Sequence, residues 1–119
     1  TIAYLKNYVP RIAVLGPTVE YEGDLPMLLA RSEARGDEFD FDTLRIPGRD
    51  DVDAAMKEVV EAAGAEYISL LSTECSEDGT CTLYAPDGMP LQFDYGHLTL
   101  SGSRFVLQTH EDQLRALVP

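Results

Sequence analysis

The chain has 119 residues, of which 45% are hydrophobic and 25% are charged, which is the composition of one ordinary globular domain. Twenty-one Asp and Glu against nine Lys and Arg give a net charge of −12. Such a surface repels nucleic-acid phosphates and anionic membranes, and no apolar run reaches the roughly 18 residues of a membrane-spanning helix. The sequence begins with Thr1, from which we expect a processed product or a fragment of a longer protein.

The first elements of the chain are predicted to be the end of a helix and then a strand. Residues 1–8 have helical periodicity, and Pro10 stops it. Residues 11–16 form a short apolar run that is typical of a strand buried on both faces of a parallel sheet. Glu20 lies in the loop after this strand, where α/β proteins place residues that contact ligands.

Two helices are predicted between the strands. Residues 24–36 begin with Asp24 as N-cap and end at Gly36, while 37–47 are interpreted as a loop or an edge segment. Residues 50–64 form the second helix, with acidic residues at its positive end and an apolar stripe along one face. The stripe consists of Val52, Met56, Val59, Val60 and Ala63.

A second buried strand is predicted over residues 65–72, Ala-Glu-Tyr-Ile-Ser-Leu-Leu-Ser. The order strand, helices, strand is the signature of a βαβ unit and therefore of a parallel sheet. A stable α/β domain usually has three or more strands. The chain is therefore expected to hold half of a larger sheet, completed by an amino-terminal half or by a second copy of the chain.

Cys75 and Cys81 flank an acidic turn in the segment C-S-E-D-G-T-C. Five intervening residues suit a local disulfide, which would contribute about 2 kcal/mol in the chain-entropy model. Without a neighbouring His or further Cys the pair is a poor zinc site. A disulfide would indicate an oxidising compartment, and two reduced cysteines remain the alternative.

Asp94 and His97 form the pattern on which the functional prediction depends. A histidine acts as a general base when a second group fixes its tautomer and stabilises the imidazolium. Asp94, three residues earlier across a turn that contains Gly96, is placed to reach Nδ1–H of His97. The structural alternative is that Asp94 caps the turn and His97 caps the following helix. Thr99 or Ser101 is also expected to cap that helix, and residues 111–118 form a short terminal helix.

Four segments occur here in an order that is found in a known family. They are V-P-R-I-A-V-L-G-P-T-V-E (9–20), A-E-Y-I-S-L-L-S (65–72), C-S-E-D-G-T-C (75–81) and D-Y-G-H-L-T-L-S-G-S (94–103). Together they resemble the carboxyl-terminal half of an SGNH (GDSL-like) esterase or acyltransferase domain. They look most like the soluble domain fused to membrane-bound acyltransferase-3 proteins, which O-acetylate bacterial surface polysaccharides. In that family the end reads G-x-P-L-Y-x-D-x-x-H-L-S-x-x-G-A, and here G-M-P-L (88–91), Asp94, H-L-T (97–99) and G-S (102–103) match it.

The resemblance implies an α/β fold with a three-layer, flavodoxin-like parallel sheet, of which this chain holds only the second half. It implies that His97 takes a proton from a serine and that Asp94 orients the ring, as two members of a Ser-His-Asp triad. Cys75 and Cys81 match a cysteine pair that such extracytoplasmic domains often carry. Tyr95, beside the pair, and Glu20, at the expected site edge, are the weaker substrate-binding candidates.

The nucleophile of the family is the serine of a Gly-Asp-Ser motif, and this chain has no such motif. Gly23-Asp24 is followed by Leu25, and Gly36-Asp37 is followed by Glu38. Ser101 and Ser103 lie near His97, but their place at a helix start favours capping. Residues 1–119 are therefore interpreted as one partial domain that lacks the nucleophile-bearing half and is inactive by itself.

The predicted function is that of the carboxyl-terminal part of a serine esterase or O-acyltransferase domain acting on acyl groups, chiefly acetyl, of cell-surface glycans. The alternative is a binding or assembly module without enzymatic activity. The expected partners are an acylated glycan or acyl donor, together with the missing half or a second copy, and no nucleic acid, cofactor or metal. The domain is expected outside the cytoplasm, in a parent protein anchored in a membrane.

Overall fold

A computed structural model describes residues 1–36 and 39–118 and contains six α-helices, one 3₁₀-helix and two strands in those ranges. In chain order they are α1 (Ile2–Leu5), β1 (Ala13–Leu15), α2 (Leu25–Arg35), the 3₁₀-helix (Phe41–Leu44), α3 (Arg49–Ala62), β2 (Glu66–Ile68), α4 (Leu71–Glu74), α5 (Leu100–Thr109) and α6 (Glu111–Leu117). The predicted mixture of helices and strands is confirmed.

The two strands form a parallel sheet, as the order of the elements predicts. Val14 pairs with Tyr67, and α3 returns the chain from the end of β1 to the start of β2 and packs against β2. The expectation that the first strand is buried on both faces is wrong for this chain. Val14 is half-buried and Leu15 is 46% exposed, because within the described residues only β2 pairs with β1.

The second strand is shorter than predicted, since it ends at Ile68 and a helical turn begins at Leu71. Ser69 provides the reason: its hydroxyl accepts a hydrogen bond from the Ser72 N–H at 3.1 Å and so satisfies a donor at the start of α4. A serine that bonds to nearby main chain offers an alternative to the strand ladder. The apolar run 65–72 therefore divides between a strand and a helix.

Two of the predicted helices form near their expected bounds. Asp24 is the N-cap residue of α2 but makes no side-chain capping bond, and Gly36 ends the helix with φ of 63°. On α3, Val60 is buried whereas Val59 is 68% exposed, so the predicted apolar stripe is wider than the line of contact with β2. The described part of 37–47 holds the 3₁₀-helix, and residues 37 and 38 lie outside the described residues.

The predicted disulfide between Cys75 and Cys81 is present. The main core lies beside it, between α2 and the segment that precedes α5. Its buried members are Val19, Tyr21, Leu25, Leu28, Leu29, Leu71, Cys81, Ala85 and Leu91. A second cluster, Ile68, Leu70 and Val106, joins the end of β2 to α5. Leu98, directly after His97, packs against both clusters.

Candidate active site

The carboxylate of Asp94 divides its two oxygens between the backbone of its turn and the ring of His97. Oδ1 accepts the N–H groups of Gly96 at 2.9 Å and His97 at 2.8 Å, and Oδ2 lies 2.8 Å from Nδ1 of His97. These hydrogen bonds lower the pKa of Asp94 below its ordinary value, and the bond from the Gly96 N–H has the largest effect. Asp94 thus caps the turn and orients the imidazole at the same time.

The bond to Asp94 also decides which nitrogen of His97 is available for chemistry. Nδ1 carries the proton that the carboxylate accepts, so Nε2 of the neutral ring has a free lone pair. Within the described part of the chain, no group hydrogen-bonds to Nε2. The ring of Phe93 stacks on the imidazole at 5.8 Å and 20°, and Tyr95 meets it edge-on at 5.7 Å. His97 is therefore held between two rings with Nε2 open.

The following helix is capped by Thr99, so the structural alternative in which His97 caps it is wrong. The hydroxyl of Thr99 accepts the Gly102 N–H at 3.0 Å and donates to the carbonyl of Pro90 at 2.9 Å. Of the two predicted caps, Ser101 instead donates to Oδ2 of Asp87 at 2.6 Å. The imidazole is left free for another role.

The loop after β1 and the first residue of α2 fix the position of this turn through three hydrogen bonds. The Thr18 hydroxyl donates to the carbonyl of Gly96 at 2.7 Å, and the Tyr21 N–H donates to that of Tyr95 at 2.9 Å. The Leu25 N–H donates to the carbonyl of Asp94 at 3.1 Å. The carboxyl end of the first strand and the Asp94 turn are thereby brought together, as expected for the site edge of a parallel sheet.

A cavity of about 530 Å³ opens between this loop and the turn. Glu20, Tyr95 and His97 all line it, so the structure brings the two weaker candidates beside His97. Arg49 also lines it and forms an ion pair with Glu20, which raises the pKa of the guanidinium. Arg49 was not predicted from the sequence, because it lies 29 residues from Glu20 and only the fold brings the first residue of α3 to this cavity.

The described residues hold no serine bonded to Nε2 of His97. Ser103 lines the same cavity from α5, yet its hydroxyl forms no hydrogen bond with the imidazole. No cluster of three or more metal-ligating side chains occurs within 1–36 and 39–118. The arrangement in the described residues is thus an imidazole oriented by a carboxylate beside a cavity.

A larger cavity, of about 670 Å³, is lined by residues of α3, α4 and the disulfide segment and by no histidine. Asp53 lines it and accepts hydrogen bonds from the hydroxyls of Tyr67 at 2.7 Å and Ser69 at 2.8 Å. These bonds tie α3 to the end of β2. The carboxylate of Asp53 thus has structural partners on both oxygens.

The chain belongs to the family of SGNH domains that are fused to AT3 domains, since the model of that family matches residues 1–111. The family resemblance seen in the sequence is thereby confirmed. A solved structure with the same fold is the periplasmic domain of a lipopolysaccharide acetyltransferase from Salmonella ser. Paratyphi A, with a TM-score of 0.75 and 24% identity. The match covers 88% of this chain and 42% of that one. No curated protein sequence matches the chain significantly.

The structural match agrees with the predicted fold class, a partial α/β domain of the SGNH type. The chain spans less than half the length of the solved domain that it matches. No helix in residues 1–36 or 39–118 has the length and apolar character needed to cross a membrane.

Proposed function

We propose that this chain supplies the general base and its orienting carboxylate to a serine esterase or O-acyltransferase domain that acts on acyl groups of cell-surface glycans. The observation that carries the proposal is the 2.8 Å contact between Oδ2 of Asp94 and Nδ1 of His97, a residue that lines a cavity. Membership of the SGNH family supports it. The lipopolysaccharide acetyltransferase with the same fold suggests acetyl groups and a glycan as the reactants.

In the proposed reaction His97 works as base and then as acid. Its Nε2 takes the proton of a serine hydroxyl while the serine oxygen bonds to the acyl carbon, and Asp94 stabilises the resulting imidazolium. The imidazolium returns that proton to the leaving oxygen as the ester bond breaks, which leaves an acyl-enzyme. A glycan hydroxyl or water then attacks the acyl carbon and loses its proton to Nε2. The imidazolium gives that proton to the serine oxygen as the acyl–serine bond breaks, which releases the acylated glycan or the free acid and restores the serine.

The serine is proposed to lie in a Gly-Asp-Ser motif on a segment that precedes residue 1 in the same protein, since a second copy of the chain would bring no such motif. Residues 1–119 are then one partial domain that is inactive alone. The uncovered surface of β1, where Leu15 is 46% exposed, supports the need for a further layer. A parent anchored in a membrane and a site outside the cytoplasm agree with the AT3 fusion of the family and with the disulfide.

The acyl acceptor is proposed to bind beside His97, on the wall formed by Glu20, Arg49 and Tyr95. The guanidinium donates and the carboxylate accepts, so the pair offers both hydrogen-bond roles to sugar hydroxyls. The ring of Tyr95, which is 45% exposed, offers an apolar face to the C–H groups of a sugar. No cofactor is required for this chemistry.

The test is hydrolysis of p-nitrophenyl acetate by the protein that carries residues 1–119 together with its Gly-Asp-Ser segment. His97→Ala is expected to reduce kcat by at least about 10³-fold. His110→Ala is the matched control, because that ring bonds to Thr73 and Gln113 and lies outside the cavity. Equal activity in the two variants would contradict the proposal.

The second candidate is a binding or assembly module without catalysis. It is favoured by the double use of Asp94, because the same carboxylate stabilises its turn whether or not a serine is present. In that case the parent protein hydrolyses no ester, and His97→Ala alters only stability or glycan binding. Hydrolysis that depends on His97 would exclude it.

A further inference from the structure

Two fully buried polar side chains outside the cavity hold the same residue of the loop after β1. Glu74 is 1% exposed and Gln92 is 0% exposed. Oε2 of Glu74 accepts the N–H of Val19 at 2.7 Å, and Nε2 of Gln92 donates to the carbonyl of Val19 at 2.7 Å. Both peptide groups of one loop residue are therefore bound by side chains that lie 55 and 73 positions away.

Val19 lies in the middle of the loop that positions the Asp94 turn. Its neighbour Thr18 bonds to the carbonyl of Gly96, and its neighbour Glu20 lines the cavity. Gln92 belongs to the strand-like segment that leads into Asp94, and Glu74 is the last residue of α4. The two side chains thus connect the loop after β1, the end of α4 and the segment before Asp94 at Val19.

One oxygen on each of the two side chains is buried with no hydrogen-bond donor among the described residues: Oε1 of Glu74 and Oε1 of Gln92. An unpaired buried acceptor is costly, and a buried carboxylate charge is more so. A single proton on Glu74 removes the charge and converts Oε1 into a donor. Both head groups bind the main chain of Val19, and Oε1 of Gln92 is the other buried oxygen that lacks a donor.

The surroundings of Glu74 favour that protonated form. Burial raises the pKa of Glu74 to about 7, against the opposing effect of the Val19 hydrogen bond. The titratable group that faces it is Tyr21, whose pKa burial raises to about 12 and which is therefore neutral throughout the relevant pH range. Arg45 and Asp42 act on Tyr21 with opposite signs. No described cation is paired with Glu74.

We propose that Glu74 and Gln92 are positioning residues for the Asp94–His97 pair, with Glu74 held as a neutral acid that donates its proton to Oε1 of Gln92. Together they fix Val19, and Val19 fixes the loop that holds the turn of Asp94. The catalytic part of this inference rests on the proposed function, whereas the proton and the loop geometry do not.

The decisive variant is Glu74→Gln. Its Oε1 still accepts the N–H of Val19, and its N–H donates to Gln92 as the acid does, so the variant is expected to fold and to keep its activity within about twofold. Glu74→Leu removes both bonds and is expected to lower kcat by about 10- to 100-fold through misplacement of the turn. Glu77→Gln, on an exposed carboxylate three residues along, is the matched control.

The pH dependence gives a readout that a merely structural role would not produce. Because the folded-state pKa of Glu74 is raised, its stabilising effect is full below the ordinary value of 4.5 and is lost as the pH rises through about 7. The unfolding midpoint of the wild type is therefore expected to fall between pH 4.5 and about 7.5 and to level off above that range, and kcat is expected to fall around pH 7, where folded Glu74 loses its proton. Glu74→Gln is expected to abolish that fall, and Glu77→Gln to keep it.

The amide resonance of Gly96 separates this inference from the proposed function, since it reports the Asp94 turn without any turnover. It is expected to shift in Glu74→Leu and to stay in place in Glu74→Gln. If that pattern appears in a protein that hydrolyses no ester, the positioning role of Glu74 and Gln92 is supported and the proposed function is contradicted. Unfolding of Glu74→Gln as readily as Glu74→Leu, or a pH slope that survives in Glu74→Gln, would overturn the inference.

Discussion

Gly96 lies directly against the side chain of Glu20: a Cβ at position 96 would stand 2.8 Å from Cγ of Glu20. Real Cβ atoms do not approach carbon so closely, and Cγ is not the free end of this side chain because the carboxylate is paired with Arg49. The absence of a side chain at Gly96 is thus what allows the cavity wall and the Asp94 turn to touch.

Gly96→Ala is expected to displace Glu20 and to destabilise the fold by about 1–3 kcal/mol, as overpacking does elsewhere. Urea unfolding of Gly96→Ala, Glu20→Ala and the double variant measures the effect. Since Ala at position 20 has no Cγ, the double variant should recover most of the loss. Strictly additive free energies would show that the two residues do not conflict.

Asp94→Asn separates the two uses of this carboxylate. Asn keeps an oxygen for the N–H groups of Gly96 and His97, so the unfolding midpoint should hardly change. The amide offers a donor to Nδ1 and so favours the wrong tautomer, which is expected to lower kcat by about 10⁴-fold. Asp94→Ala loses both uses and should lower kcat and the midpoint together. A drop in stability of Asp94→Asn equal to that of Asp94→Ala would contradict this division.

Thr99 holds the helix that follows the site, through the Gly102 N–H and the carbonyl of Pro90. Thr99→Val keeps the shape but removes both bonds, and the expected loss is about 1–2 kcal/mol of unfolding free energy. Thr99→Ser keeps the hydroxyl and serves as the control. Equal denaturation midpoints for the two variants would show that the cap contributes nothing.

Asp87 provides a pH dependence opposite in sign to that of Glu74. The Ser101 hydroxyl first, and then the Met89 N–H, lower its pKa below the ordinary 3.8. Its stabilising effect is therefore present above that ordinary value and is lost as the pH falls through the lowered one. Ser101→Ala should raise the pKa of Asp87, measured by carboxyl NMR, and weaken the acid sensitivity. Ser103→Ala, which removes no carboxylate bond, should change neither.

Contacts within a few residues were the predictable part of this protein. The bond between Asp94 and His97 spans three residues, and the disulfide of Cys75 closes a seven-residue segment, so spacing and turn chemistry sufficed for both. The end of α2 at Gly36 was equally local. In each case the physical cause lies inside one turn of chain.

The parts that sequence reasoning missed depend on contacts between distant segments. Nothing near Arg49 indicates that it pairs with Glu20, and nothing near Gln92 indicates that its amide binds Val19. The early end of β2 was missed for another reason: the apolar run continues past Ile68, and a single serine hydroxyl directs its second half into a helix. The hydrophobic pattern alone does not reveal such a hydrogen bond.

The disulfide has a consequence for when the site forms. Cys75 directly follows Glu74, and the N–H of Thr82, directly after Cys81, donates to the carbonyl of Glu74 at 2.7 Å. The segment closed by the disulfide thus restrains Glu74, which accepts the N–H of Val19. Before oxidation that segment is open and its about 2 kcal/mol of chain restraint is missing. A chain kept among reducing thiols would then hold the loop at Val19, and with it the turn of Asp94, less firmly than a chain that reaches an oxidising compartment.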